Sequence, residues 1–279
     1  MTALPRIILE PIVRAALVED FGLAGDVTGG LLSPSARFSG RFAARSAGVA
    51  AGLDCAALAC ALVDPAIVFT AHVADGAALA PGAALATVEG PAASVLAAER
   101  TALNFLTHLS GIATLTRAFV DAVEGTDARI AATRKTLPGL RAVQKAAVTA
   151  GGGWPHRFGL GDAVLVKDNH IAAAGGIEAA LAMARAHAGH MAVIEVEVDG
   201  LDQLEAALAC GPDVVLLDNF SLADLAEAVA HAKGRAVLEA SGGVSLATVR
   251  AIAQTGVDVI SVGALTHSAP ALDIGLDAM

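Results

Sequence analysis

The chain of 279 residues has no tyrosine, one tryptophan, three cysteines and four lysines. No stretch of it reaches the ~18 uncharged apolar residues that a helix needs to cross a bilayer. Each shortage closes a class of function. Cys55, Cys60 and Cys210 are odd in number and show neither C-x-x-C nor Cys/His spacing, which excludes a disulfide scaffold and a thiolate zinc site. Their Ala/Leu-rich surroundings read as buried, reduced thiols. The first segment, MTALPRIILEPIVRAALVEDFG, is interrupted by Arg6, Glu10 and Arg14, so it lacks the apolar core of a secretion signal and the expected location is the cytoplasm. A net charge of -10 argues against nucleic acid, whose phosphate backbone requires a basic face. The missing tyrosine accompanies an excess of alanine and 29 glycines, a compositional bias from which no function follows.

What is present is a large apolar content, 55% of residues against 16% charged. That is enough for one barrel-sized domain and a smaller one. The scarce positive charge is concentrated. Thr133 to His170 holds three of the four lysines and three of the fourteen arginines. Between Thr133 and Lys167, six Lys and Arg stand against one Asp, a local charge of +5. Interleaved with glycines and two histidines, these charges suit a pocket for carboxylates or phosphates.

From Ala128 onward, short β-branched runs alternate with Ala/Leu-rich segments of helical length, the βα repeat of a parallel sheet. Strands are predicted at 128–135, 163–168, 192–198, 213–219, 236–242 and 257–263. Helices are predicted at Leu140–Ala150, Ile177–His187, Leu201–Ala209, Leu222–Ala232 and Leu246–Thr255. Six such units favour a barrel or near-barrel. Before them, a helix at Ile7–Glu19 leads through a Gly/Asp loop to strand-like runs at 41–52 and 69–90, with turns at Asp75-Gly76 and Pro81-Gly82. A long helix, Ala92–Val123, carries Gly111 as a candidate break. The fold class is α/β, with an N-terminal α/β domain over 1–112 and a barrel over 113–279 whose last residues return to the first domain.

Nearly every strand of the βα half ends in polar residues: Arg134-Lys135, Lys167-Asp168, Glu197, Asp218-Asn219, Ser241-Gly242-Gly243 and Gly263. In parallel α/β barrels these ends share one mouth, where ligands bind. Ser241-Gly242-Gly243 precedes a helix expected to begin near Ser245 or Leu246, so its backbone N–H groups suit a phosphate. Glu197 and Asp218 end adjacent strands and offer oxygen ligands for Mg²⁺ or ribose hydroxyls. Glu195 shares a pleat face with Glu197 and reads instead as the neutraliser of a buried cation.

In order, TRKTLPGLR, GGGWPHRFGLGD, KDNH, EVEVD, LLDN, EASGGV and VGALTHS, together with EDFGLAGDVT and ERTALNFLTHLSGIAT in the N-terminal half, resemble quinolinate phosphoribosyltransferase over nearly the whole chain. The resemblance implies an N-terminal α/β sandwich followed by an irregular, partly open parallel α/β barrel, in a homodimer with shared sites. It implies transfer of phosphoribose from phosphoribosyl pyrophosphate to quinolinate with decarboxylation, aided by Mg²⁺, in NAD synthesis. By the same resemblance, Thr133, Arg134, Lys135, His156 and Arg157 bind quinolinate, Lys167 faces the pyrophosphate or a substrate carboxylate, and Arg100 enters the partner's site. Lys135, Lys167, Glu197 and Asp218 form the catalytic set, with Glu197 and Asp218 toward ribose and, directly or through water, Mg²⁺. Ser241, Gly242, Gly243, Gly263 and His267 cradle the 5-phosphate.

The chain departs from the family pattern at Ala146, where the family commonly has tyrosine, and at Pro155, where it has asparagine, and the GD-T loop carries an extra residue. Three other readings compete: a molybdenum-associated paralogue, a Schiff-base lyase using Lys167, and a non-catalytic anion-binding protein.

Overall fold

The computed structural model describes residues 4–279. The chain divides into two compact units, Met1–Arg117 with Thr136–Gly152 and Ala264–Met279, and Ala118–Lys135 with Gly153–Gly263. A single cut at 112/113 would instead give two contiguous stretches.

The first unit begins with α1 (Arg6–Phe21), whose Leu9, Val13 and Leu17 recur at helical spacing and are buried. Strands β1 (Arg37–Ala44), β3 (Val68–Ala71), β5 (Ala84–Pro91) and β12 (Ile274–Ala278) form an antiparallel sheet in the order β12-β1-β5-β3. The short strands β2 (Gly48–Val49) and β4 (Ala78–Leu79) pair separately. Helix α2 (Leu53–Val63) buries Cys55 and Cys60, where desolvation pushes the thiols up to about 12 and about 11. These are inert core residues, as their context suggests.

Helix α3 (Ala92–Ala122) runs unbroken through Gly111. The glycine answers to packing: a Cβ there would collide with the Pro270 carbonyl oxygen. Helix α4 (Arg141–Ala150), which the βα pattern places among the barrel's helices, groups with the first unit. Its buried Gln144 bonds His108 at 2.9 Å and the Thr266 carbonyl at 2.9 Å. The short helix α10 (Ala264–His267) belongs to the same unit.

The second unit is a parallel sheet of β6 (Arg129–Ala131), β7 (Val164–Val166), β8 (Ile194–Val198), β9 (Val214–Asp218), β10 (Val237–Ser241) and β11 (Val259–Ser261). Their order is β6-β11-β10-β9-β8-β7, six strands of an unclosed barrel. Between them run α5 (Asp168–Ala174), α6 (Ile177–His187), α7 (Leu201–Cys210), α8 (Leu222–Ala232) and α9 (Val249–Ala253). Strand runs such as VVLLD are buried because a parallel sheet is covered on its faces. Two expectations need correction. Asp168 ends no strand; it opens α5, as the Lys167 backbone N–H donates to His170 Nδ1 and turns the chain. The helix expected from Leu246 begins only at Val249, since Ser245 and Thr248 close the preceding turn on each other.

Candidate active site

Parallel register places the inward side chains in layers. Leu165 pairs with Glu195, so two residues on Lys167 stands beside Glu197. Leu216 lies level with Glu197 on one side and Glu239 on the other. Asp218 pairs with Ser241, and Ser261 with Ala131. Beyond β6 the chain adds one more parallel link, in which Trp154 N–H donates to the Ile130 carbonyl and Ala132 N–H to that of Trp154, both at 2.8 Å. Arg129 lies 4.4 Å over the tryptophan ring, a cation–π contact that fixes this link. It delivers His156 and Arg157 to the same mouth.

These ends enclose a cavity of about 360 Å³ within the second unit. Arg134, Lys135, Arg157 and Lys167 bring four positive groups to its wall, and Thr133 a hydroxyl. Glu197, Asp218 and Glu239 bring three carboxylates, and Ser241 and Ser261 two more hydroxyls. Four of the six concentrated cations thus line one pocket together with acids from three other strands, while Arg141 and Lys145 lie on α4 in the first unit.

Lys167 Nζ is ion-paired with Glu197. It is 44% exposed, unlike the desolvated amine a Schiff-base enzyme requires. Asp218 accepts a 2.7 Å bond from the Asn219 amide. Asn219 has a positive φ of 57°, and its side chain explains Gly242: at φ 94°, a Cβ on Gly242 would collide with Asn219 Oδ1. Gly243 is also left-handed, at φ 59°. The Ser241-Gly242-Gly243 loop therefore offers backbone rather than side chain to a ligand. It does so without a helix terminus, because α9 is short and starts six residues further on.

Arg157 reaches the Ala163 carbonyl at 3.4 Å, and Asp162 ties this loop by accepting from Phe158 and Gly159 N–H. Burial, then the charge of Arg134, lowers the Arg157 pKa. Beneath it, His156 Nε2 lies 3.4 Å from Glu239 and 3.8 Å from Glu195. Both glutamates are 4% exposed. Burial, and next the charge of Glu239, push Glu195 up to about 7, opposed by His156, Arg157 and Lys167. These three residues offer ligand atoms within 4.8 Å of one another, a geometry able to hold a cation.

Residue order alone does not single out Glu239, which lies inside the apolar strand VLEAS. The signal available for it is its period-two spacing from Ser241, which puts both on the inward face. Five candidate residues are not part of this cavity's lining: Gly242 and Gly243, which directly follow Ser241, and three more distant ones. Gly263 follows β11 in the second unit, while His267, at the end of α10 and 2.6 Å from Ser268 Oγ, belongs to the first. Arg100 is an exposed residue of α3, also in the first unit.

Residues 26–110 match the quinolinate phosphoribosyl transferase N-terminal domain and residues 112–277 its C-terminal domain. The chain belongs to this family. It is 49% identical over 274 residues to nicotinate-nucleotide pyrophosphorylase (carboxylating) of Mycobacterium leprae, covering 95% of each chain. It is 41% identical over 287 residues to quinolinate phosphoribosyltransferase (decarboxylating) 1b of Nicotiana tabacum, covering 96% of this chain and 81% of that one. The solved nicotinate-nucleotide pyrophosphorylase of Francisella tularensis superposes with a TM-score of 0.95 at 40% identity, covering 99% of this chain and 98% of the other. No described helix is long and apolar enough to cross a membrane.

Proposed function

We propose that this member of the quinolinate phosphoribosyl transferase family transfers phosphoribose from phosphoribosyl pyrophosphate to quinolinate and decarboxylates the product. Nicotinate mononucleotide, pyrophosphate and carbon dioxide result, a step of NAD synthesis, in the cytoplasm. The observation that carries this reading is the single cavity where four cationic side chains meet three carboxylates at the strand ends. One substrate is a dicarboxylate and the other a polyphosphate, so both need fixed cations; the ribose between them needs acceptors for its hydroxyls.

In this reading Thr133, Arg134, His156 and Arg157 hold quinolinate, arginine's planar fork pairing with a carboxylate. Lys135 and Lys167 take the departing pyrophosphate. As the bond from ribose C1 to pyrophosphate breaks, the electron pair leaves with oxygen and positive charge grows on the sugar. Fixed lysines stabilise the first, and Glu197 and Asp218 the second. The ring nitrogen then bonds to C1. In the resulting quinolinium the bond to the adjacent carboxylate breaks, its electron pair stays on the ring carbon and is taken up by a proton. Ser241, Gly242, Gly243 and Gly263 hold the 5-phosphate.

Glu197 and Asp218 are hard oxygen donors at one rim, a set that fits Mg²⁺. The ion would supply charge neutralisation on the pyrophosphate. A homodimer is supported by the apolar residues exposed on and after α1, among them Ile7, Val18, Leu23, Val27 and Leu31. In it Arg100 would serve the partner's site. Mixing Arg100→Ala with Lys135→Ala subunits should then restore part of the activity; no recovery in mixtures shown to exchange would oppose sharing.

The deciding experiment is an assay of purified protein with phosphoribosyl pyrophosphate and Mg²⁺. Quinolinate should yield nicotinate mononucleotide and nicotinate should not. Absence of turnover with both substrates bound would sink the proposal.

A further inference from the structure

We propose that Glu239, with Glu195 behind it, is a positioning residue that holds the His156 ring beneath the pocket as an imidazolium, giving the dicarboxylate a third fixed positive group beside Arg134 and Arg157. The inference rests on the reading of this cavity as the quinolinate site.

Three observations carry it. First, one ring nitrogen, His156 Nε2, faces two carboxylates from two strands, at 3.4 Å to Glu239 on β10 and 3.8 Å to Glu195 on β8. Both acids are buried, and Glu195 Oε1 has no hydrogen-bond partner among the described residues. Buried acids of this kind stay charged only beside a cation and otherwise keep their proton. Second, His156 holds a φ of 53°, a left-handed conformation uncommon outside glycine, though histidine enters it more readily than most residues. The strain is sustained where the direction of the ring matters. Third, the other charged groups lining the cavity with His156 are Arg134, Lys135, Arg157, Lys167, Glu197 and Asp218. Its sequence neighbour Arg157, with Arg134 and Lys167, would drive the proton off an isolated histidine. The two carboxylates offset them. A divalent metal could occupy the same three ligands, but the surrounding cations favour the smaller charge of a protonated ring.

A protonated ring is a different binding element from a neutral one. It adds attraction for carboxylate without adding a flexible arm, and it does so only while the acids beneath it stay in place. Glu239 therefore acts through His156 on substrate affinity and does not itself meet the reacting atoms.

The test follows His156 by NMR in the full-length, isotope-labelled protein, its signal assigned with His156→Gln. Glu239→Gln should lower the His156 titration midpoint by about 1 pH unit or more. The same variant should raise the KM for quinolinate about tenfold at pH 8, change it little at pH 6, where the ring stays protonated, and leave kcat nearly unchanged. Glu239→Asp, which draws the carboxylate back by one methylene, should shift the midpoint the same way by less; it also serves if the glutamine variant does not fold. A midpoint unmoved or raised in both variants would overturn the proposal, and so would a KM rise equal at the two pH values. A His156 signal that titrates only after a chelator is added would assign the trio to a metal and overturn it as well. If Arg157→Ala leaves quinolinate binding unchanged while the His156 shift is as expected, the reading of the cavity fails and the charge pairing stands.

Discussion

Two sets of carboxylate project from neighbouring strands and behave differently. At the rim, Glu197 is paired with Lys167 and Asp218 with Asn219, and both acids are partly exposed. Away from solvent, Glu195 and Glu239 are buried around a single histidine. Glu195 and Glu197 are two residues apart in IEVEV, so identity and strand position do not distinguish them. Depth does. A rim acid is held by partners that a ligand can displace, and is free to change them during turnover. A buried acid must be balanced by the protein itself or keep its proton, and so it organises what lies above it.

The sharpest way to break this contrast is to remove the rim acids. Glu197→Ala or Asp218→Ala should lower kcat about 10² to 10³-fold, while changing stability by no more than about 1 to 2 kcal/mol, the range of a single charge-assisted or neutral hydrogen bond at a partly exposed rim. Steady-state kinetics beside chemical denaturation read both quantities; a rim variant that loses stability but keeps turnover would reverse the assignment. Next in size, Arg134→Ala or Arg157→Ala should weaken quinolinate binding by about 1.5 to 3 kcal/mol through lost charge-assisted bonds. Calorimetry with quinolinate measures this, and unchanged affinity would remove that arginine from the site.

The smallest effect belongs to the buried layer and depends on pH. The Glu195 pKa is raised from 4.5 to about 7 in the folded chain, so folding favours its protonated form. The stability this lends is complete below about 4.5 and is lost as pH rises through about 7. Relative to Glu195→Gln, the native chain should therefore lose about 1 to 2 kcal/mol between pH 5 and pH 8. Denaturant midpoints at the two pH values give the difference. A flat difference would mean that Glu195 is as well solvated as the rim acids.

Much of this was legible from residue order. The six strands fall inside their expected ranges because buried parallel strands read as compact apolar runs, and Ile177–His187 and Leu222–Ala232 match their helices end to end. The pocket residues were legible because charge interrupts those runs at their ends. What the residues concealed was set by tertiary contact. Gly111 looks like a helix break, yet it serves a close approach by Pro270. The α4 segment has the spacing of a crossover helix but groups elsewhere, a choice made by packing partners distant in sequence. Glu239 looked like an accident inside an apolar strand because the histidine that faces it lies 83 positions earlier.

The Lys167–Glu197 pair has a thermodynamic consequence. An anion that captures Lys167 does so by exchange, leaving Glu197 without its counter-charge, and any cation that then settles on Glu197 binds more tightly for it. Linkage requires the reverse as well: a cation on Glu197 releases Lys167 to the anion. The pair thereby couples the affinities of two oppositely charged ligands, so that each prepares the place of the other.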